Sequence, residues 1–304
     1  MSTRITNSMI SRSVLSDLND VSQRLSQTQQ RMSSGKQITR PSDDPYGTSR
    51  ALSLRTDVAG TQQYQRNVGE ATAWQSVTDS ALAKVTEAVQ RARDLAIQGA
   101  SDAAGQAARN ANAAEIDQLI ESIKQEANAS YGGHYVFSGT ATNTAPYAVG
   151  GADAYLGDTA AVAREIGPGV SVQVNVVGQS LLGDGQAAAD GKLLNVLRDL
   201  SDHLKSGTVA ALNTLRTTDI RAIDTNLDAI GQTRATVGAT TNRLETADSR
   251  LQEVEGSLTK LLSDVEDADM AKTYTDFSMQ QSVYQSALRA GANIVQQSLL
   301  DFLR

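Results

Sequence analysis

The stretch Leu244-Glu245-Thr246-Ala247-Asp248-Ser249-Arg250-Leu251-Gln252-Glu253-Val254-Glu255-Gly256-Ser257-Leu258 places a leucine at every seventh position. Followed outward, the row reads Ile223, Ile230, Val237, Leu244, Leu251, Leu258 and Val265, and Ala247, Val254 and Leu261 add a second row near its end. A seven-residue apolar repeat kept this long predicts one helix, from about Thr208 to Leu262, wrapped against other helices.

The same logic reaches both ends of the chain. Val14, Leu18, Val21, Leu25 and Met32 follow an alternating four-three spacing, with Thr28 filling the one gap. That helix stops at Ser33-Ser34-Gly35, and Pro41-Ser42-Asp43-Asp44-Pro45 then predicts a loop or hinge built on Gly35, Pro41, Asp43, Asp44 and Pro45. Asp43 and Asp44 read as turn and N-cap formers for a helix resuming near Thr48. That helix is expected to run to about Gly99 on the face Leu82, Val85, Val89, Ala92 and Ala96, and a second, from about Gln106 to Ser130, uses Ile116, Leu119, Ile120 and Ile123. The C-terminal segment carries its own seam at Met270, Tyr274, Phe277, Tyr284, Leu288, Val295 and Phe302.

Between the helices the character changes. From Tyr131 to about Asp190 the chain is rich in Gly, Thr and Val, and Val170 to Val177 alternates at period two, as a half-buried strand does. A short helix follows, around Leu193 to Leu204. The expected fold is therefore mainly α, a long coiled-coil-like bundle formed by the N- and C-terminal regions, with one small β-rich inserted domain. Its parts are an N-terminal helix (1–40) paired with a C-terminal helix (264–304), a helical rod in two portions (41–140 and 191–263), and an outward-facing insertion (141–190) expected to be dispensable for assembly.

A lone amphipathic helix cannot bury its stripe against itself, so the terminal seams need partners. They have two choices, each other or neighbouring copies. Either way Val14, Leu18, Val21, Leu25 and Met32, with Met270, Tyr274, Phe277, Tyr284, Leu288, Val295 and Phe302, are the candidate assembly interface. Residues 1–40 carry six bases against Asp17 and Asp20, whereas six acids face three bases from Asp264 onward, so the two ends attract.

Composition narrows the function classes. Only 4% of the 304 residues are aromatic, which suits thin helical seams, and a net charge of -7 speaks against general nucleic-acid binding. Cysteine is absent, which excludes disulfides, thiol nucleophiles and Cys-bound metals. No apolar run approaches the roughly 20 residues of a membrane span, and no signal peptide is evident; by these rules alone the chain reads as cytoplasmic.

Chemistry-bearing motifs are sparse. Gly183-Asp184-Gly185-Gln186-Ala187-Ala188 matches a dinucleotide fingerprint, but Asp190-Gly191 interrupts any helix that would point at a pyrophosphate, so it reads as a turn. Asp264, Glu266, Asp267 and Asp269 lack the glycine and terminal acid of a calcium loop and suit a helix N-terminus instead. His134 and His203 stand far from any other histidine, and no nucleophile elbow occurs. No catalytic, cofactor-binding or metal-binding residues are assigned, and no enzyme activity is expected.

Two segments carry a resemblance. Arg31-Met32-Ser33-Ser34-Gly35-Lys36-Gln37-Ile38-Thr39-Arg40-Pro41-Ser42-Asp43-Asp44-Pro45 resembles the N-terminal signature of the flagellin and hook-associated family, and Asp264-Val265-Glu266-Asp267-Ala268-Asp269-Met270-Ala271 resembles its C-terminal signature. The proline-flanked loop, Tyr135-Val136-Phe137-Ser138-Gly139 followed by Ala145-Pro146-Tyr147, and the ending Ser298-Leu299-Leu300-Asp301-Phe302-Leu303 resemble the family's hook-filament junction subunits more than its filament flagellins. The resemblance implies a structural, non-enzymatic subunit without cofactors, secreted through the flagellar export apparatus into the extracellular flagellum. It implies as partners another hook-associated junction protein, filament flagellin, copies of the chain in a helical or ring arrangement, and an export chaperone. Filament flagellin is the alternative within the family, and a secreted helical effector or adhesin is the alternative outside it.

Overall fold

Where heptads were read, helices form. The computed structural model describes the backbone of residues 7–302 and the side chains of Met9 and residues 12–292. The described residues form eight α-helices: α1 (Asn7–Ser34), α2 (Pro45–Ala100), α3 (Gln106–Ala127), α4 (Gly178–Leu182), α5 (Leu193–Ser206), α6 (Val209–Thr214), α7 (Ile220–Glu266) and α8 (Met270–Phe302). Their β structure is two short antiparallel hairpins, β1 (Ser130–Tyr131) with β2 (His134–Tyr135) and β3 (Ala163–Gly167) with β4 (Val170–Gln173). The fold is mainly α, as the sequence predicts. The chain divides into two compact units, residues 1–60 with 254–304, and residues 61–253.

In the unit of residues 61–253, α2, α3 and α7 run alongside one another. Arg93 pairs with Asp224 and Arg234 with Asp79, so α2 and α7 are antiparallel, and Arg91 with Glu115 and Lys84 with Glu126 do the same for α2 and α3. The α7 row Ile223, Ile230, Val237, Leu244 and Leu251 is buried, and its core also takes Leu82, Val85, Val89 and Leu95 of α2 and Ile116, Ile120 and Ile123 of α3. Burying such a side chain contributes about 1.5–3 kcal/mol, which is what holds these helices side by side. The helix α5 lays Leu193, Leu194, Leu197, Leu200 and Leu204 into the same core.

Three boundaries differ from expectation, each for a local reason. The helix expected from Thr208 is interrupted by a π turn at Leu215–Asp219, where the buried Asp219 carboxylate meets His203 Nδ1 at 2.6 Å and Arg216 reaches the Ala100 carbonyl. An α-helix accommodates such an extra residue as a single π turn. The strand expected over Val170–Val177 stops at Gln173, because the Asn175 side chain takes over the pairing: its Oδ1 accepts from Val162 N and its Nδ2 donates to Ala160 O. Pro45, read as part of the loop, instead opens α2, since the first helical position needs no N–H donor.

The segment read as a separable insertion is tied to the helices. Lys124 of α3 has no exposed surface, and its Nζ donates to the Gly151 carbonyl, to Asp153 Oδ1 and to Glu121 Oε1. Arg198 of α5 closes on the same Asp153, with Nε at 2.7 Å from Oδ2 and a second nitrogen at 3.1 Å from Oδ1. The fully buried Tyr147 is held by Asn128 through its backbone and donates its hydroxyl to the Gly183 carbonyl, and burial pushes that phenol far above its ordinary range. An outright deletion of this segment therefore removes the counter-charge of a buried lysine.

Candidate assembly surface

Within the unit of residues 1–60 and 254–304, α1 packs along α8. On α1 the side chains that turn inward are Val14, Leu18, Val21, Leu25, Thr28 and Met32, which is the row read from the sequence. On α8 the inward row is Thr273, Phe277, Gln280, Tyr284, Ala287 and Gly291. Thr28 Oγ1 donates to Gln280 Oε1 at 2.8 Å, so the gap in the α1 seam is a polar rung. A polar residue at such a position favours one register, because a shifted pairing leaves it without its partner.

Phe277 and Tyr284 are half-buried in the pair, but Met270, Tyr274 and Leu288, read as the same seam, are exposed, Tyr274 by 67%. Their row stands beside the contact and not in it. The seven-residue spacing is common to both rows, and the small residues Ala287 and Gly291 decide which one faces α1, because they let the backbones approach. A Cβ on Gly291 would stand 3.2 Å from Val14 Cγ1 and 3.5 Å from Leu18 Cδ1. Met279, exposed by 60%, and Val283 flank the contact on the other side. The side chains of Val295 and Phe302 lie outside the described residues. The apolar face of α8 is thus wider than α1 can cover, and both flanks remain open.

The two quoted signatures meet at the end of this pair. Gly35 ends α1 in the left-handed conformation, φ +70°, with its N–H on the Arg31 carbonyl. Gln37 N then donates to the Glu266 carbonyl at 2.7 Å, and Ala268 N to the Gly35 carbonyl at 2.9 Å. The Glu266 carboxylate is buried between Lys36, at 2.7 Å, and Arg55. Asp269 caps α8 by accepting from Ala271 N and Lys272 N, and Asp44 caps α2 by accepting from Gly47 N at 2.9 Å. Asp43 accepts from Thr39 N, Thr39 Oγ1 and Arg40 N, and those bonds hold its carboxyl below the usual range. The acidic cluster therefore supplies a clasp at Glu266 and a helix cap at Asp269, and Pro41 lies in the turn between α1 and α2. Sequence reading missed Glu266 as the centre of this clasp; its signal lay 230 residues away at Lys36.

Two outcomes are expected from these contacts. Gly291→Leu should loosen the α1–α8 pair by about 1–3 kcal/mol, as overpacking does, read as faster amide exchange around Leu18. Leu288→Asp should leave monomer stability within about 0.5 kcal/mol, as exposed positions do, yet block incorporation into an assembly. Protected amides around Leu18 in Gly291→Leu would contradict the packing described, and normal incorporation of Leu288→Asp would remove that flank from the candidate assembly surface.

The family profile for the bacterial flagellin N-terminal helical region matches residues 5–142, and that for the C-terminal helical region matches residues 220–303. Similar proteins include flagellar hook-associated protein 3 of Escherichia coli (strain K12), 26% identical over 279 residues, covering 86% of this chain and 87% of that protein. Flagellin FlaB2 of Treponema pallidum is 27% identical over 277 residues, covering 90% and 91%. Among solved structures, Bacillus cereus FlgL shares the fold with a TM-score of 0.57 at 23% identity, over 69% of this chain and 99% of that one.

Proposed function

The chain belongs to the bacterial flagellin family, and on that premise we propose that it is a structural subunit of the flagellum, seated at the junction of hook and filament, on which flagellin polymerises. The observation that carries this reading is the half-covered face of α8: α1 fills its centre, while Met270, Tyr274 and Leu288 on one side and Met279 and Val283 on the other stay exposed. A row of large apolar side chains left open along a helix marks a surface for further packing. Copies of the chain arranged head to tail, in a helical or ring arrangement, would cover both flanks at once.

The junction position is supported by the likeness to hook-associated protein 3 over most of the chain and by the proline-flanked loop at Pro41 to Pro45, where Asp43 closes the turn and Asp44 caps α2. On this reading the partners are another hook-associated junction protein below, filament flagellin above, and an export chaperone before secretion through the flagellar export apparatus. The role has no catalytic step and needs no cofactor.

Electron microscopy of flagella labelled with antibody against the segment 141–190 tests the position. Label confined to the boundary between hook and filament is expected. Label along the whole filament would transfer the chain to filament flagellin, and label absent from flagella would favour a secreted effector or adhesin.

A further inference from the structure

In the unit of residues 1–60 and 254–304, the first turns of α2 carry an open groove of about 310 Å³, lined by Tyr46, Ser49, Arg50, Ser53, Leu54 and Asp57. At helical spacing these residues make two successive sockets, Tyr46-Ser49-Arg50-Ser53 and Arg50-Ser53-Leu54-Asp57, each of the form i, i+3, i+4, i+7. Four residues so placed are what one side chain of a facing helix inserts between. The short side chains of Ser49 and Ser53 leave the sockets open, Leu54 gives them an apolar floor at 7% exposure, and Tyr46 stands at one end, 78% exposed.

Sockets four residues apart call for two large side chains four residues apart. On α8 two exposed pairs have that spacing, Met270 with Tyr274 on one flank and Met279 with Val283 on the other. Charge chooses between them. Arg50 is exposed, and its side chain has no hydrogen-bond or ion-pair partner among the described residues. Three residues before Met279, on the same face, stands Asp276, whose carboxylate is likewise unpaired among them. Three residues before Met270 stands Asp267, already taken by the Ser263 hydroxyl at 2.6 Å.

Charge also sets the direction. With the helices parallel, Met279 enters the first socket and Val283 the second, and at 1.5 Å per residue Asp276 comes within about 5 Å of Arg50 along the axis. With the helices antiparallel, Asp276 lies about 10 Å from Arg50 and level with Asp57. Both surfaces are open on the same unit, so neither fills the other within one chain. Resting on the assembly role proposed above, we infer that the α2 groove receives Met279 and Val283 of a second copy, the helices parallel and Arg50 beside Asp276. Such a contact joins two different patches, so it does not close at two copies and extends into a ring or helix.

The chain contains no cysteine, so introduced thiols report on this contact alone. Ser53→Cys and Val283→Cys, both at exposed positions, are placed singly and together in the full chain, expressed in cells lacking their own copy, and the isolated flagella are mildly oxidised. The doubly substituted chain is expected to run as a ladder of disulfide-linked multimers, and each single variant as monomer. Arg50→Asp and Asp276→Arg should each lower incorporation about tenfold or more by setting like charges together, and the two combined should restore it. If the incorporated double-cysteine chain gives no ladder, if its thiols join a different protein, or if the charge exchange fails to restore incorporation, the contact is wrong. Cross-linking reports contact wherever in the flagellum the chain sits, and antibody label reports position, so the two readings fail separately; absence of the chain from flagella removes both.

Discussion

Cells lacking this chain are expected to keep their hooks, carry no filaments and release flagellin into the medium. The expectation follows from the geometry of α8. Its centre is committed to α1 through Phe277, Gln280, Tyr284 and Gly291, so only the flanks, with Tyr274 and Met279 the most exposed on either side, can meet further helices. In the proposed role, these flanks of the chain form the layer that an arriving filament subunit covers, and each large apolar side chain left in water forfeits about 1.5–3 kcal/mol. The first layer therefore decides whether growth begins, which makes the effect close to all-or-none. Complementation with the intact gene should restore filaments, and complementation with Leu288→Asp should not. Normal filaments in a clean deletion would remove the junction role.

Asp153→Ala is expected to destabilise the unit of residues 61–253 by about 3 kcal/mol, the lower end of what breaking a buried ion pair costs, and to lower its melting temperature by roughly 6–12 °C. The carboxylate serves two cations at once, Lys124 and Arg198, and Lys124 has no exposed surface on which to recover water. Glu121 and the Gly151 carbonyl remain as partners for Lys124, which keeps the loss at the lower end. Lys124→Met should cost less, because it fills similar volume with apolar atoms and leaves Asp153 gripped by Arg198. A larger loss in Lys124→Met than in Asp153→Ala would overturn this assignment.

The same network sets an acid dependence. Burial pushes the Asp153 carboxyl up, but hydrogen bonds and charge from Arg198 and Lys124 outweigh it and hold the group below its ordinary value. Burial likewise raises Glu121, and the Gly150 N–H, Lys124 and Arg198 bring it below. Depressed folded values mean that the stabilisation is fully present above the unfolded-state values of about 4 and is lost as pH falls through the folded ones. The melting curves of wild type and Asp153→Ala should therefore converge below about pH 4. Parallel curves down to acid pH would show that Asp153 is not ionised in the fold.

How much could be read in advance differs by element. The α7 row and the α1 seam were legible, because each is a periodic pattern whose burial follows from one helix alone. The caps at Asp44 and Asp269 were legible for a related reason, since their partners lie two or three residues away. The π turn was not, because its cause is a carboxylate held by His203, sixteen residues back on another helix. Lys124 is a lysine on an amphipathic helix, where a solvated position is the ordinary outcome. Nothing near it in sequence announces that Asp153 and the Gly151 carbonyl arrive from a loop to enclose it.

Residue order alone is enough to build this chain from long helices, to seam its two ends, and to interrupt them with a short β-rich stretch. Periodicity is a local property, and apolar residues at heptad spacing must be buried by something. What that something is was decided only in three dimensions. On α8 two rows share the seven-residue spacing, and the row with Gly291 and Ala287 faces α1 because small side chains permit close approach, which leaves Met270, Tyr274 and Leu288 exposed. The two terminal signatures likewise meet around Glu266 through hydrogen bonds spanning more than two hundred residues, since complementary charge and unpaired backbone groups find partners by position in space and not by position along the chain.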